Sequence, residues 1–186
     1  MKVDLYERIF MWGVALMLAL FFTSTAVAAF SRALHPPSHV ETIDPRKAIG
    51  DPRFTPQGVA LDENGRVHAR VVGLMFTWLP AEMTIPAETP VTFHVTSTDV
   101  THGFEIVRTN GQTMVIPGYV SQFTTEFDEP GEYLVACNEY CGVGHHTMSG
   151  KLVVVPRERF TAPPTQAVPA DWMPSATTMG GTHGGH

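Results

Sequence analysis

The chain has 186 residues, two cysteines and a formal net charge of −6 at pH 7. This length allows one domain of about 100–150 residues with short additions, and it excludes a second large domain. The acidic balance fits either ordinary solubility or long-range attraction of a basic protein, and we expect no nucleic-acid partner.

An uncharged segment near the N-terminus is long enough to cross a membrane. Residues 9–31 carry no charged side chain and lie between Arg8 and Arg32. A helix needs about 20 such residues to cross a hydrocarbon core of roughly 30 Å. We predict a retained transmembrane anchor within residues 1–32. A cleaved signal peptide is the alternative, because residues 26–28 read Ala-Val-Ala, although the apolar run is longer than signal peptides usually have.

Residues 33–57 are rich in proline and lack periodicity, which predicts a connector. Short strand patterns follow, each interrupted by glycine or proline. They cover residues 66–72, 83–85, 90–96, 104–107, 113–116, 120–127, 131–137 and 151–155. Strands of this length separated by turns favour an all-β sandwich or barrel, which we place at residues 58–156. Alternation puts His68, Arg70 and His94 on polar strand faces, and we predict that His94 faces solvent.

One loop and one distant histidine carry the strongest chemical signal. The loop contains Cys137, Cys141, His145 and Met148, in the pattern C-x3-C-x3-H-x2-M, and His102 follows an earlier strand. Thiolate, imidazole and thioether are the ligands of copper sites that transfer electrons. A mononuclear blue-copper site needs one cysteine, so the second cysteine supplies enough sulfur to bridge two coppers.

Two alternatives to copper follow from the same residues. An exported domain with two cysteines can form a disulfide between Cys137 and Cys141, but that leaves the spacing of His102, His145 and Met148 unexplained. Zinc would suit two cysteines and two histidines, but a methionine is a poor zinc ligand.

The last segment, residues 157–186, is dominated by Pro, Ala, Thr and Gly and contains His183 and His186. Such a composition does not build a core, so we predict a mobile or surface-draped tail. The two histidines could capture metal loosely or be incidental.

The motifs resemble those of subunit II of haem-copper cytochrome c oxidases, the subunit that carries the binuclear CuA centre. The family pattern D-V-x-H-G-F matches residues 99–104, and C-x-E/Q-x-C-G-x-x-H-x-x-M matches residues 137–148. The resemblance covers roughly residues 1–156. It implies a cupredoxin-like Greek-key β-barrel on one transmembrane helix, and the single helix is nearer to the B-family oxidases.

The resemblance also implies six copper ligands in three roles: bridging thiolates, capping imidazoles and weak axial groups. Cys137 and Cys141 would be the bridging thiolates, and His102 and His145 would be the capping imidazoles. Met148 and the backbone carbonyl of Glu139 would be the weak axial groups.

Two further roles come from the resemblance alone. Trp78 lies in an aromatic segment similar to the one proposed to receive electrons from cytochrome c, although a buried core tryptophan would fit the sequence nearly as well. The side chain of Glu139 corresponds to a magnesium ligand at the subunit I interface in the mitochondrial-like branch. The single-helix branch has glutamine there, so the magnesium role stays open.

The function implied is that of the electron-accepting subunit of a terminal respiratory oxidase, an oxidoreductase and translocase. The subunit would take electrons from cytochrome c or a small copper protein and pass them to haem in subunit I for oxygen reduction. The copper domain would lie on the outer, periplasmic or extracellular, side of the plasma membrane. The alternatives are the same module of a nitric oxide reductase, or a freestanding membrane-anchored copper carrier or delivery protein.

Overall fold

The computed structural model describes residues 4–31, 41–161 and the single residues 163, 168 and 172. The chain divides into two compact units, Met1–His39 and Val40–His186.

The described part of the first unit is one helix, α1 (Leu5–Ser31). At about 1.5 Å per residue, its 27 residues make a helix roughly 40 Å long, which exceeds a hydrocarbon core of about 30 Å. Residues Leu5–Val27 are long and apolar enough to cross a membrane. This agrees with the predicted anchor, and a signal sequence meets the same criterion.

The described residues of the second unit contain eleven strands in two sheets. The strands are β1 (Glu41–Thr42), β2 (Gly58–Leu61), β3 (Val67–Leu74), β4 (Thr77–Leu79), β5 (Glu82–Pro86), β6 (Val91–Ser97), β7 (His102–Ile106), β8 (Gln112–Val115), β9 (Tyr119–Thr125), β10 (Gly131–Cys137) and β11 (Ser149–Val155). One sheet has the order β1-β9-β6-β3-β2, with β4 paired to β3. The other has the order β5-β11-β10-β7-β8. The pairs β3–β6 and β5–β11 are parallel, and the remaining pairs are antiparallel.

The predicted all-β fold is confirmed. Each of the eight predicted strands is present, with ends that differ from the prediction by no more than two residues. The prediction missed β1, β2 and β4. These strands have two, four and three residues, too few to show a clear alternation of apolar and polar side chains.

The main hydrophobic core lies between the two sheets. Val71, Phe93 and Val95 contribute from the first sheet, and Phe104 and Leu152 from the second, and all five are fully buried. Burying a side chain of this size stabilises the fold by about 1.5–3 kcal/mol. This core fixes the strand ends on which the candidate site is built.

A second apolar layer covers the outer face of the six-stranded sheet. It contains Ile43, Ala48, Phe54, Val72, Val120, Val168 and Trp172. Several of these residues come from segments that the sequence predicted to lie outside the folded domain.

The predicted connector, residues 33–57, is part of the domain over its described portion. Strand β1 pairs with β9, and a 3-10 helix follows at Pro45–Gly50. Asp44 caps that helix by accepting a hydrogen bond from the Arg46 amide at 3.1 Å. Residues 33–40 lie outside the described residues.

The expectation that residues 157–186 contribute nothing to a core is wrong at two positions. Val168 and Trp172 are buried in the outer layer. A buried tryptophan removes about 150–250 Å² of mostly apolar surface from water, which stabilises its own position on the sheet. His183 and His186 lie outside the described residues.

The prediction that His94 faces solvent is wrong. Its side chain is 0% exposed, and His68 and Arg70 on the neighbouring strand are buried as well. Strand alternation does place all three on the outer face of the sheet, as predicted from their spacing. The outer layer covers that face, so side chains that point away from the main core are still removed from water.

Candidate metal centre

The predicted ligands come together at one end of the sandwich because two paired strands meet there. His102 is the first residue of β7, and Cys137 is the last residue of β10. These strands are antiparallel, with Cys137 opposite Phe104, so the start of one lies beside the end of the other. Met148 immediately precedes β11, the other neighbour of β10.

Backbone hydrogen bonds join the loops that carry these residues. The Asn138 amide donates to the carbonyl of Gly103 at 3.0 Å, which links the cysteine loop, residues 137–148, to the start of β7. The Cys137 amide donates to the carbonyl of Met148 at 3.2 Å, which closes the cysteine loop at its base. The relative positions of the loops are therefore set by the sheet.

The thiol of Cys137 has one imidazole and one backbone oxygen beside it. Its Sγ atom lies 3.9 Å from Nδ1 of His102 and 3.2 Å from the carbonyl oxygen of Glu139. The side chain of Glu139 is exposed, so only its backbone joins the cluster.

The thiol of Cys141 has an equivalent pair of neighbours. Its Sγ atom lies 3.6 Å from Nδ1 of His145 and 3.7 Å from Sδ of Met148. The sulfurs of Cys137 and Cys141 are 3.8 Å apart, and both are free thiols. All six predicted donor groups therefore lie together, in two matched sets around the two sulfurs.

The chemistry of these donors fits copper. His102, Cys137 and Cys141 offer ligand atoms that all lie within 4.8 Å of one another, and all three side chains are buried. Soft thiolate and thioether donors combined with imidazoles favour copper, whereas oxygen ligands would favour magnesium or calcium. Met148 is buried with its sulfur toward Cys141, an arrangement that a zinc site would not need.

The thiol of Cys141 must lose a proton to bind a metal. Burial raises its pKa to about 11, and the hydrogen bond and charge of Cys137 and the charge of Asp99 act in the same direction. Only the thiolate is a metal ligand. At neutral pH, metal binding therefore displaces a proton from Cys141.

Asp99 orients the ring of His102. The Nε2 atom of His102 lies 2.8 Å from Oδ1 of Asp99, which leaves Nδ1 facing Cys137. Burial acts to raise the pKa of Asp99, but hydrogen bonds from His102 and from the amides of Val100 and Met75 outweigh it and lower that pKa. The carboxylate is thus held charged beside the imidazole. The motif alone gave Asp99 no separate role, although its position three residues before His102 is a usable signal.

Trp78 does not reach the surface. It is 1% exposed, and its ring packs edge-on against His102 and Phe104, with centroid distances of 5.8 and 5.1 Å. The alternative that the sequence left open, a core tryptophan, describes its position. Trp78 nevertheless contacts His102, so the aromatic segment lies beside a predicted ligand.

Phe76, in the same aromatic segment as Trp78, covers the cysteine loop. A Cβ atom at Gly144 would clash with the Phe76 ring, and one at Gly142 would lie 3.1 Å from it. Gly142 also has φ of +131°, a conformation that favours glycine. The glycines therefore let the aromatic ring pack directly on the loop backbone.

Exposed apolar side chains surround the site. Met75, Tyr140 and Val143 are 49%, 73% and 88% exposed, and the ring of Tyr140 lies 5.8 Å from that of His145. His146, which the sequence did not place among the ligands, is exposed.

The Glu139 side chain lies at a small cleft beside the site. The lining residues are Gly103, Gln112, Thr113, Met114, Asn138 and Glu139. Among the residues that the structure describes, no group of three close His, Cys, Asp or Glu donors includes Glu139. The magnesium role of Glu139 therefore stays a prediction.

Comparisons with known proteins agree on one family. The family model described as "Cytochrome C oxidase subunit II, periplasmic domain" matches residues 73–155. A "Cytochrome c oxidase subunit 2" of Thermus thermophilus is 33% identical over 148 residues, which covers 76% of this chain and 88% of the relative. A second Thermus thermophilus sequence of the same name is 32% identical over 130 residues, covering 69% of this chain and 96% of the relative.

A solved structure shares the fold. It is a chain of a haem-copper terminal oxidase dimer determined by cryo-electron microscopy, with 31% sequence identity and a TM-score of 0.59. The match covers 81% of this chain and 99% of that one.

Proposed function

This chain belongs to the cytochrome c oxidase subunit II family, and from that membership we propose that it is the electron-accepting subunit of a terminal respiratory oxidase. It takes electrons from cytochrome c or a small copper protein at a binuclear copper centre, CuA. It passes them to haem in subunit I, where oxygen is reduced.

The observation that carries this proposal is the pairing of donors around the two sulfurs. Cys137 and Cys141 lie 3.8 Å apart, and each has its own imidazole nitrogen and its own weak donor. A mononuclear site would use only one of these two sets of donors as ligands. The two thiolates and the two imidazoles would hold two coppers, and these would supply a one-electron centre, since the soft ligand set suits Cu(I).

The protein residues keep this donor set rigid and dry. The sheet holds His102 and Cys137, Asp99 fixes the His102 ring, and Trp78 and Phe76 exclude water from the two sides that they cover. Ligands that are held in place by packing and by outer hydrogen bonds reorganise little, which favours fast electron transfer.

Electrons would enter at the exposed surface of the cysteine loop. The role predicted for Trp78 needs a group that a donor can touch, and its ring is buried. We propose that the donor packs on Met75, Tyr140 and Val143, and that Trp78 acts as a packing partner of His102 behind them. The net charge of −6 would attract a basic donor over a longer range.

The partner of this subunit would be a membrane-embedded subunit I. Helix α1 would anchor the chain, with the copper domain on the outer side of the plasma membrane. The Glu139 side chain, exposed at its cleft, would be free to contribute to a magnesium site shared with that partner.

The test is to purify the full chain with the membrane subunits that accompany it, and to assay the complex with reduced cytochrome c. We expect about two coppers per chain, a delocalised mixed-valence signal in electron paramagnetic resonance, and oxygen consumption. His145→Gln should abolish the mixed-valence signal, whereas the neighbouring exposed control His146→Gln should retain it.

Three results would count against the proposal. A single exchangeable copper on a chain that purifies alone would favour a copper carrier. A complex that reduces nitric oxide but not oxygen would favour the reductase alternative. A disulfide between Cys137 and Cys141 in the mature complex would remove the copper site altogether.

A further inference from the structure

A layer of polar side chains is buried on the outer face of the six-stranded sheet, on the opposite side of that sheet from the main core. His68 and Arg70 on β3 and His94 on β6 form this layer, and each is at most 1% exposed. Arg70 lies opposite His94 in the parallel pairing of the two strands. Burying ionisable groups is costly unless they are neutral or paired, so the protonation of this layer matters for its stability.

The two histidines contact each other directly. Nδ1 of His68 lies 3.0 Å from Nε2 of His94, and the rings are stacked with centroids 5.3 Å apart. This contact holds one hydrogen atom, given by one ring and accepted by the other. If both rings were fully protonated, two N–H groups would face each other at that distance. The closed geometry therefore excludes two positively charged imidazoles.

The C-terminal segment supplies the cover over this pair. The ring of Trp172 stacks on His94, with centroids 3.7 Å apart and an angle of 9° between the planes. Its edge packs on Phe54, with centroids 5.6 Å apart, and the Arg70 guanidinium lies 6.0 Å from the ring. The indole Nε1 donates a hydrogen bond to Oε2 of Glu41. Trp172 thus contacts β1, the loop before β2 and β6.

Among the residues that the structure describes, few charged groups face the pair, and each carboxylate among them already has a partner. Asp62 lies 3.6 Å from Nε2 of His68, but it accepts the Arg66 side chain at 2.7 Å and the Asn64 amide at 2.8 Å. Arg70 adds positive charge from β3.

On the far side of Trp172, Glu41 is bound to Arg53 at 2.6 Å, and Arg53 is also paired with Asp51. On β9, the residue opposite His94 is the uncharged Gln122. No carboxylate in the described structure is therefore free to neutralise a second proton on the pair.

We propose that Trp172, with Val168, is a proton-sensitive latch that seals the neutral His68–His94 pair. The latch is closed when the pair carries no net charge. Opening admits water to the imidazoles, which then take up protons and can no longer be resealed until they release them. Opening also exposes Phe54 and Val72, which pack with Trp172 and Val168 in the same apolar layer, so residues 41–57 lose part of their cover.

The direction of the pH effect follows from the buried state of the pair. Burial lowers the pKa of His94 to about 2, with repulsion from His68 and Arg70 acting in the same direction. Burial likewise lowers the pKa of His68, against the opposing effect of Asp62. An exposed histidine has a pKa near 6.5, so the closed state binds fewer protons than the open state below that pH. Its stability is complete above pH 6.5 and is lost as the pH falls toward the lowered pKa values.

The size of the effect is set by the number of histidines that titrate on opening. Between pH 7.5 and 5.5, one histidine raises the ratio of open to closed molecules about tenfold, and two raise it about 100-fold. This dependence requires no metal, so it can be tested independently of the copper centre.

The experiment uses the full chain in detergent with 5-fluorotryptophan at its three tryptophans. The ¹⁹F resonance of Trp172 is assigned by its loss in Trp172→Phe, and relaxation dispersion then gives the ratio of open to closed molecules from pH 7.5 to 5.5. Trp12, on helix α1, is the internal reference. We expect a rise of tenfold or more for Trp172 and a constant signal for Trp12.

Two variants identify the titrating groups. His94→Gln and His68→Gln should each reduce the rise, because glutamine binds no proton in this range, whereas the exposed control His146→Gln should not. A rise of less than tenfold in the unmodified chain would overturn the proposal without the need for any variant. The proposal would also be overturned if both glutamine variants showed the same rise as the unmodified chain.

Discussion

Asp99 and His102 form a hydrogen-bonded pair in which the carboxylate decides which nitrogen of the imidazole faces the candidate metal centre. Nε2 of His102 lies 2.8 Å from Oδ1 of Asp99, and Nδ1 of the same ring lies 3.9 Å from the sulfur of Cys137. A carboxylate behind a ligating imidazole fixes its tautomer and increases its basicity. The pair therefore connects the turn before β7 to the site.

Removing this carboxylate should weaken copper binding. We expect Asp99→Ala to lower the copper affinity by about 10–100-fold, and Asp99→Asn, which keeps an acceptor but not the charge, to lower it less. Competition with a copper chelator measures the affinity. Asp128→Asn is the matched control, because Asp128 is exposed and distant in sequence from the ligands. Equal affinities for Asp99→Ala and Asp128→Asn would contradict the role of Asp99.

The pH range of this contribution follows from the lowered pKa of Asp99. Burial acts against the shift, but the hydrogen bonds from His102 and two amides lower the pKa below its usual value of 3.8. The stabilisation that the carboxylate gives is therefore complete above about pH 4, and it is lost as the pH falls through the lowered pKa. Asp99→Asn should consequently remove part of the acid sensitivity of the domain below pH 4, as measured by thermal unfolding at a series of pH values.

Much of the site was predictable from the sequence because its chemistry is concentrated in two short motifs. Cys137, Cys141, His145 and Met148 are close in the chain, and the strand ending before His102 returns it to the same end of the sheet. Only their shared position had to be supplied by the fold.

The surroundings of the site were less predictable. The burial of Trp78, and the packing of Phe76 on Gly144, depend on which strands become neighbours. The burial of His94 was hidden for a related reason. Strand alternation gives the face on which a side chain lies, but it does not tell whether a distant residue such as Trp172 covers that face.

Copper binding to the metal-free chain should depend on pH through Cys141. Burial raises the pKa of this thiol to about 11, so it is protonated at neutral pH and must release its proton. The apparent affinity for Cu(I) should rise at least about tenfold per pH unit between pH 6 and 8. In Cys141→Ser, the rise in apparent Cu(I) affinity per pH unit should be about tenfold smaller, because binding releases one proton fewer. An affinity for Cu(I) that does not change with pH would show that Cys141 is not a thiolate ligand.

A methyl group at Gly144 should strain the loop that carries the ligands. Its Cβ atom would overlap the Phe76 ring, so ring and loop must separate. We expect Gly144→Ala to lower the free energy of unfolding by about 1–3 kcal/mol, the usual cost of overpacking. Denaturant unfolding measures the loss.

Two comparisons separate this strain from a general effect of alanine. Gly50→Ala is the matched control, because nothing lies within 4 Å of its added methyl group. Combining Gly144→Ala with Phe76→Leu should recover part of the loss, since the smaller side chain leaves room. If the double variant is as unstable as the sum of the two single variants, the clash with Phe76 is not the cause.

Replacing Met148 should change the reduction potential more than the copper content. Its sulfur lies 3.7 Å from that of Cys141 and the side chain is buried. In Met148→Leu the packing cost should stay below about 1.5 kcal/mol, because the two side chains have similar volumes. The weak donor is lost, however, and the apolar leucine side chain offers no donor in its place to the more positively charged, oxidised centre. We therefore expect a higher potential with nearly full copper occupancy, measured by redox titration of the optical bands and by metal analysis.

Met114→Leu, at a half-exposed methionine next to the Glu139 cleft, should leave both quantities unchanged. An unchanged potential in Met148→Leu would mean that Met148 only fills space beside Cys141.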